Sequence, residues 1–313
     1  MTLQQLRFVR ETVRQGLNLT EAAHVLYISQ PGISKQIKEL ESELGVQIFA
    51  RRGKRFTGLT EPGKAILEVI ERLLQEADNL RDTAREYAGA DTGGLTIATT
   101  HTQARYALPR VVHAFRARFP GVRLALMQGS PTQIAALVVR GEANLAIATE
   151  ALDQYPELLA LPGYHWNHCA IVPAGHPLAG VERLSIEELA RYPIVTYSTE
   201  FAGRAHIDRA FRAKGLTLEP VLAALDADVI KTYVEVGLGV GIIAAMAFDP
   251  LHDRALRAID ADHLFESNTT RVAVRRGAYL RGYVYDFIEL FSPQLTRAAI
   301  QNAIAGTGEM YEL

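Results

Sequence analysis

The sequence predicts a two-lobed α/β body placed behind a small all-α unit and a long linker helix. Three observations predict it. Apolar residues in the first 60 positions recur at helical spacing and stop twice at turn residues; residues 64 to 88 contain no Gly or Pro and keep an apolar stripe; and from residue 93 onward short apolar runs alternate with helical patterns. At 313 residues, 48% of them hydrophobic, the chain exceeds one ordinary core and suits two or three folded units.

Charge is unevenly spread. Residues 1–60 carry nine Lys and Arg against Glu11, Glu21, Glu39, Glu41 and Glu43, a net +4 that leaves −6 for the rest of a chain of overall charge −2. A basic end on an acidic body points to a polyanionic partner for that end, although a solvated surface has the same arithmetic. Cys169 is the only cysteine, which excludes an intramolecular disulfide and fits a reducing cytoplasm. The longest apolar run, Val240 to Phe248, is about half the roughly 20 residues that span a bilayer, so no membrane partner is expected. The opening MTLQQLRFVRETVRQ carries charges where a secretory signal needs an apolar stretch, and a cytoplasmic location is the expectation.

In the first unit, Leu6, Val9 and Val13 form a helical stripe that ends at Gly16. Thr20 is placed to cap a short helix Glu21 to Tyr27, and Pro31 opens a third helix whose Ile33, Ile37, Leu40 and Leu44 face the core until Gly45 closes it. The opposite face carries Gln30, Pro31, Ser34, Lys35 and Lys38, crowded at the end where a recognition helix enters the major groove of double-stranded DNA. After it comes a basic hairpin, ARRGKRFTGLT, with Gly53 and Gly58 as turn residues. Its Arg51, Arg52, Lys54 and Arg55 suit a wing on the phosphate backbone or in the minor groove. The plain alternative is a small helical domain whose basic residues only keep it soluble; two helices at turn spacing, a polar second helix and a basic hairpin together weigh against it.

The run LNLTEAAHVLYISQPGISKQIKELESELGVQIFARRGK resembles the winged helix-turn-helix of LysR-type transcription regulators, and SQPGISKQI resembles the version found in the CysB group. The resemblance implies that Gln30, Pro31, Ser34 and Lys35 stand at DNA-contacting positions of a promoter-binding protein. Many relatives have Arg where this chain has Lys35, which exchanges a bidentate guanine contact for a point charge.

Thr60 and Pro62 then start the linker helix. Ile66, Ile70, Leu73, Ala77, Leu80, Ala84 and Tyr87 make a heptad seam, expected to pair two copies of the chain, the alternative being packing on its own body. Gly89 to Gly94 reads as a hinge. The expected division is a DNA-binding domain at 1–59, a linker helix and hinge at 60–92, and an effector-binding body at 93–313, with one lobe over 93–163 and 266–305 and the other over 164–265.

In that body GGLTIATT, VRLALMQG, NLAIAT, CAIVP, PIVTY, EPVLAAL, VGIIAAM and TTRVAVRR read as strands, with helices between them and a last long helix from Tyr283 to Ala305. Such alternation predicts mainly parallel sheets in two Rossmann-like subdomains, an arrangement similar to periplasmic binding proteins, with a ligand in the cleft between lobes. Thr99 to Arg105 falls at a strand end and a helix start, where Thr100, Thr102 and Gln103 can hold an anion or carboxylate, and Thr149 ends a strand toward the same opening. A hydroxyl-rich turn that caps its own helix is the simpler reading of the same residues.

ATTHTQARYALP, IATEAL, DADVIKTYVEVGLGVGIIA and YDFIELFSPQLTR are similar to CysB proteins, and with the first unit the resemblance fades only after Arg297. It implies regulation of cysteine biosynthesis and sulfur assimilation by an effector of the sulfate, O-acetylserine or N-acetylserine class. The pocket it implies uses Thr100, Thr102, Gln103, Thr149, Trp166 and the position of Ala202. It also implies a tetramer of linker-paired dimers, with RNA polymerase as a further partner. Ala202 lacks the hydroxyl expected there, and Glu200 would oppose an anion if it pointed inward. Regulation of sulfonate or other alternative sulfur use, with a different effector, is the second reading.

Other motifs carry no chemistry. GLGVG at Gly237 to Gly241 follows a helix and precedes a strand, the reverse of a nucleotide fingerprint. His165 and His168, read on one strand, point to opposite faces and share no metal. No nucleophile elbow, P-loop or zinc motif occurs, so neither a cofactor nor an enzyme is expected. The rival class, a solute receptor or enzyme with a helical arm, would need a signal sequence or an acid–base cluster.

Overall fold

The computed structural model describes residues 1–53, 55–88, 92–201 and 203–306. Lys54, Ala202 and the hinge residues 89–91 therefore lie outside the described residues. The chain divides into two compact units, Met1–Ala88 and Gly89–Leu313.

The first unit begins with α1 (Leu3–Arg14), held by a capping box of Thr2 and Gln5. Helix α2 (Leu19–Val25) starts earlier than its spacing predicts, because Asn18 rather than Thr20 is the cap: its side-chain oxygen accepts the N–H of Thr20 at 3.0 Å and of Glu21 at 3.3 Å. Helix α3 (Gln30–Leu44) is capped by Ser29, carries Pro in its first turn and ends at Gly45 in the left-handed region. Ile33, Ile37 and Leu40 are fully buried against Leu6, Val9, Ala22 and Ala23, as the apolar spacing predicts, whereas Leu44, in the last turn before Gly45, is exposed. Strands β1 (Phe49–Arg52) and β2 (Arg55–Leu59) form the antiparallel hairpin. Gly53 has the positive φ of its turn, whereas Gly58 is no turn residue: it lies inside β2 opposite Ala50, beside a register shift.

Helix α4 (Glu61–Tyr87), capped by Thr60, is two-faced. Ile70 and Leu74 are buried in the first unit's core, so Ile70 does not belong to the outward seam that the heptad spacing predicts. Val69, Leu73, Leu80 and Tyr87 form the outward stripe, with Leu80 71% exposed and Tyr87 87% exposed.

The second unit contains two five-stranded sheets. The first runs β4 (Val122–Gln128), β3 (Gly93–Thr99), β5 (Leu145–Ala148), β12 (Asn268–Arg275), β6 (Leu158–Trp166). The second runs β11 (Leu256–Asp260), β7 (His168–Pro173), β10 (Val240–Ala244), β8 (Ile194–Tyr197), β9 (Leu222–Ala224). Neither is mainly parallel: β12 is antiparallel to β5 and β6, and β7 is antiparallel to β10 and β11. The chain crosses between sheets at Asn167 and returns before Asn268, and β12 comes back against the direction of β5. His165 and His168 sit on opposite sides of the first crossing, on different strands rather than on one.

Helices α5 (Leu108–Arg118), α6 (Pro131–Val139) and α10 (Gly282–Phe291) serve the first lobe, whose core joins Leu108, Val111, Phe115 and Phe287 to the apolar side chains of β3 and β5. Helices α7 (Ile186–Leu189), α8 (Arg204–Ala213) and α9 (Ala227–Glu235) serve the second. The Ser130/Gln133 and Ser185/Glu188 capping boxes form as spacing predicts. In place of one helix from Tyr283 to Ala305 there are two, α10 and α11 (Arg297–Ala305), because Pro293 cannot continue the first and Thr296 caps the second. The GLGVG segment is a helix-to-strand turn, with Gly237 at a φ of 83°. Among the described residues no helix is long and apolar enough to cross a membrane.

Candidate nucleic-acid interface and ligand cleft

The first unit presents the side chains predicted to meet DNA on two elements, α3 and the hairpin. Gln30, Pro31, Lys35 and Lys38 are exposed along α3 and Ser34 is half-buried. Lys35 reaches Glu39 only loosely, at 3.8 Å, and its side chain is 75% exposed. Arg52 and Arg55 are exposed on the hairpin and line a groove together with Gln30 and the residues around Asn18.

Arg51 is engaged internally, a role that spacing does not show. Its guanidinium pairs with the buried carboxylate of Glu41 on α3 and lies 4.6 Å from the centroid of Phe56. Glu41 also accepts the backbone N–H groups of Ile48 at 2.9 Å and Phe49 at 3.1 Å. One carboxylate thus fixes the hairpin to the recognition helix, and Phe49 stacks on Phe56 with centroids 4.4 Å apart.

In the second unit, the end of β3 leads into a π-helical turn, Gln103–Ala107. Thr100, Thr102 and Gln103 are all buried there. They line a small cavity of about 10 Å³ with Thr149, Glu150, Trp166 and Phe201, so the structure brings together every described residue of the predicted pocket. The Gln103 side chain donates to Thr270 Oγ1 at 3.0 Å and accepts from the Tyr164 hydroxyl at 2.5 Å. Trp166 Nε1–H donates to Thr270 at 3.1 Å and to Thr149 at 3.3 Å. Burial is the main cause that pushes the Tyr164 hydroxyl above its ordinary range, which keeps it a neutral donor.

Tyr164 and Thr270 escape the sequence reading, as does Glu150. The two former face each other in register on β6 and β12, but a hydroxyl in an alternating strand does not announce which face is the cleft. Glu200 is exposed, so the inward carboxylate is Glu150 instead. Beyond this cavity lies an outer one of about 210 Å³, lined among others by Thr149, Glu150, Gly203, Arg204, Asn268 and Arg271.

At the far end of the π-helical turn the lobes meet again. The Tyr106 hydroxyl donates to Asp228 on α9 at 2.6 Å, and Arg105 lies 3.4 Å from the same carboxylate. Lys231 approaches Asp228 at 3.4 Å and the buried Asp253 at 3.1 Å. Burial acts to raise the Asp228 pKa, yet the Tyr106 hydroxyl and Lys231 prevail and hold it below the usual carboxylate range. His101, Asp226 and Asp228 lie close enough to share an ion, but Asp228 already meets the Tyr106 hydroxyl and the two cations Arg105 and Lys231.

A basic hairpin fixed to a recognition helix, followed by a two-lobed body with a polar cleft, defines a ligand-responsive DNA-binding regulator. The comparisons agree: residues 3–64 match the model of the bacterial regulatory helix-turn-helix protein, lysR family, and residues 88–296 match the LysR substrate binding domain. The chain belongs to the LysR family of bacterial transcriptional regulators. It is 60% identical over 300 residues to the HTH-type transcriptional regulator SsuR of Burkholderia cenocepacia, covering 96% of this chain and 97% of that one. It is 57% identical to CysB of the same organism over 100% of both chains, and 47% identical to Cbl of Escherichia coli over 99% of this chain and 98% of that one. Among solved structures, the cofactor-binding domain of the Cbl regulator matches with a TM-score of 0.66 at 46% identity, over 68% of this chain and 93% of that one. Full-length CbnR complexed with its target DNA shares the fold, with a TM-score of 0.58 at 19% identity over 95% and 100% of the chains.

Proposed function

We propose that the chain is a cytoplasmic regulator of cysteine-biosynthesis and sulfur-assimilation promoters, with domains at 1–59, 60–92 and 93–313, that responds to a small anionic or acetylated effector of the sulfate or acetylserine class. The observation that carries the effector reading is the network of Gln103, Thr270, Trp166, Thr149 and Tyr164 on the first lobe's side of the cleft, polar and free of formal positive charge. Hydroxyl, amide and indole donors at a strand end and a helix start suit a compact oxyanion. The second reading is a regulator of sulfonate or other alternative sulfur use with another effector, the chain being about as similar to SsuR, at 60% identity, as to CysB, at 57%. Effector-dependent footprinting on promoters of both gene classes distinguishes the two.

DNA contact falls to Gln30, Pro31, Ser34, Lys35 and Lys38 on α3 and to Arg52, Lys54 and Arg55 on the hairpin, while Arg51 holds the hairpin in place. Ser34→Ala and Lys35→Ala should each weaken specific promoter binding by about 1 to 3 kcal/mol in mobility shifts, the usual worth of a base contact. Specific affinity unchanged in folded variants removes them from the interface. Gln103→Ala removes the acceptor of the Tyr164 hydroxyl and one of the donors to Thr270 and should weaken effector binding by about 1 to 3 kcal/mol, read by calorimetry or by Trp166 fluorescence.

A further inference from the structure

The inner cavity contains one group that does not suit an anion. Glu150 follows Thr149 at the end of β5, and its Oε1 accepts the backbone N–H of Gly203 on the opposite lobe at 2.5 Å. Gly203 is the N-cap residue of α8 and supplies no side-chain cap of its own. It is held in the left-handed region, where an added Cβ would lie 1.9 Å from Asn268 Oδ1, so no capping side chain fits there. Glu150 therefore provides, from across the cleft, the negative group that a helix N-terminus attracts.

The same carboxylate lines both the inner and the outer cavity and so stands between them. The inner cavity, about 10 Å³, has room for no more than one water, and a tetrahedral oxyanion enters only if a lining group moves. None of its described lining residues is cationic. Of the cations on the outer lining, Arg204 is engaged, donating to the Tyr197 carbonyl at 2.6 Å and to Asp208 at 2.8 Å, while Arg271 donates to the Thr149 carbonyl at 3.4 Å and lies 3.7 Å from Asp153.

We propose that Glu150 is a built-in competitor of the effector: a tethered carboxylate that occupies the anion position at the start of α8 and that an incoming oxyanion must displace. This rests on the effector pocket argued above. Its charge selects the ligand, because a dianion such as sulfate meets a like charge with no cation in the inner lining, whereas a monoanion that presents an N–H can leave that hydrogen bonded to Glu150. Displacement also breaks one of the lobe-to-lobe bridges, so the same side chain that reads ligand charge contributes to cleft closure.

Calorimetric titration of the full chain with sulfate and with N-acetylserine tests this. Glu150→Gln keeps an acceptor for Gly203 but removes the charge, and Glu150→Ala removes both. Sulfate affinity should rise at least about tenfold in either variant, with a smaller change for N-acetylserine, so that selectivity moves toward the dianion. Sulfate binding unchanged or weaker in a variant that keeps the wild-type circular-dichroism melt overturns the proposal. A second reading needs no variant: the Gly203 amide resonance must shift on sulfate saturation of the wild type, and its constancy overturns the proposal equally. Gln103→Ala separates the two levels. If it loses sulfate while Glu150→Gln behaves as wild type, only the tethered carboxylate is refuted; if it binds sulfate as wild type does, the pocket itself is refuted and the proposal falls with it.

Discussion

Glu41→Ala should destabilise the amino-terminal unit by about 3 to 5 kcal/mol, the range for removal of one partner from a buried ion pair. The carboxylate is 3% exposed and meets three donors, the N–H groups of Ile48 and Phe49 and the Arg51 guanidinium. Without it two backbone donors and a guanidinium lose their acceptor together. Glu41→Gln keeps an acceptor for the amides but not the charge, and should cost about 1 to 3 kcal/mol. Urea titration of the full chain reads this as an early transition of the first unit, since two compact units need not unfold as one. Promoter affinity should fall in parallel, because the hairpin that carries Arg52 and Arg55 is no longer held to the recognition helix. A wild-type midpoint in Glu41→Ala shows that the hairpin is anchored by its apolar packing alone.

Glu41 also illustrates what the sequence conceals. Apolar spacing marks Ile33, Ile37 and Leu40 as core because a helix repeats every 3.6 residues, and the structure buries all three. Glu41 directly follows Leu40 on the same face, and only the returning hairpin, at Ile48 and Phe49, gives a charged residue a reason to be buried there. The ligand cleft shows the same division. Thr100, Thr102, Gln103 and Thr149 are legible because strand ends and helix starts are local features. Tyr164 and Thr270 become partners of Gln103 only through the pairing of β6 with β12, a contact between segments about a hundred residues apart in sequence. Strand direction was lost for a related reason: alternation of strands and helices implies parallel neighbours only within one lobe, and this chain crosses between lobes.

Leu80→Asp should abolish the dimer. The heptad reading of the linker helix mixes two surfaces: of its residues Ile70, and in part Ile66, turn into the core of their own unit, where Leu74 also lies, while Leu73, Leu80 and Tyr87 remain outward beside Val69. A stripe of that kind along a helix of 27 residues suits pairing with a second copy, and the pairing of DNA half-sites in two-fold symmetric operators favours a dimer. At a symmetric seam the substitution acts twice. Each lost leucine forfeits about 1.5 to 3 kcal/mol of burial, and two carboxylates desolvated toward each other cost several kcal/mol more. Sedimentation velocity should therefore show monomers at concentrations where the wild type is dimeric, and operator affinity should drop with the loss of the second half-site. Ile70→Asp supplies the contrast, since a charge in the unit's own core lowers its unfolding midpoint rather than only dissociating it. If Leu80→Asp sediments as the wild type while Ile70→Asp unfolds, the outward stripe is not the dimer seam and the two copies join through another surface.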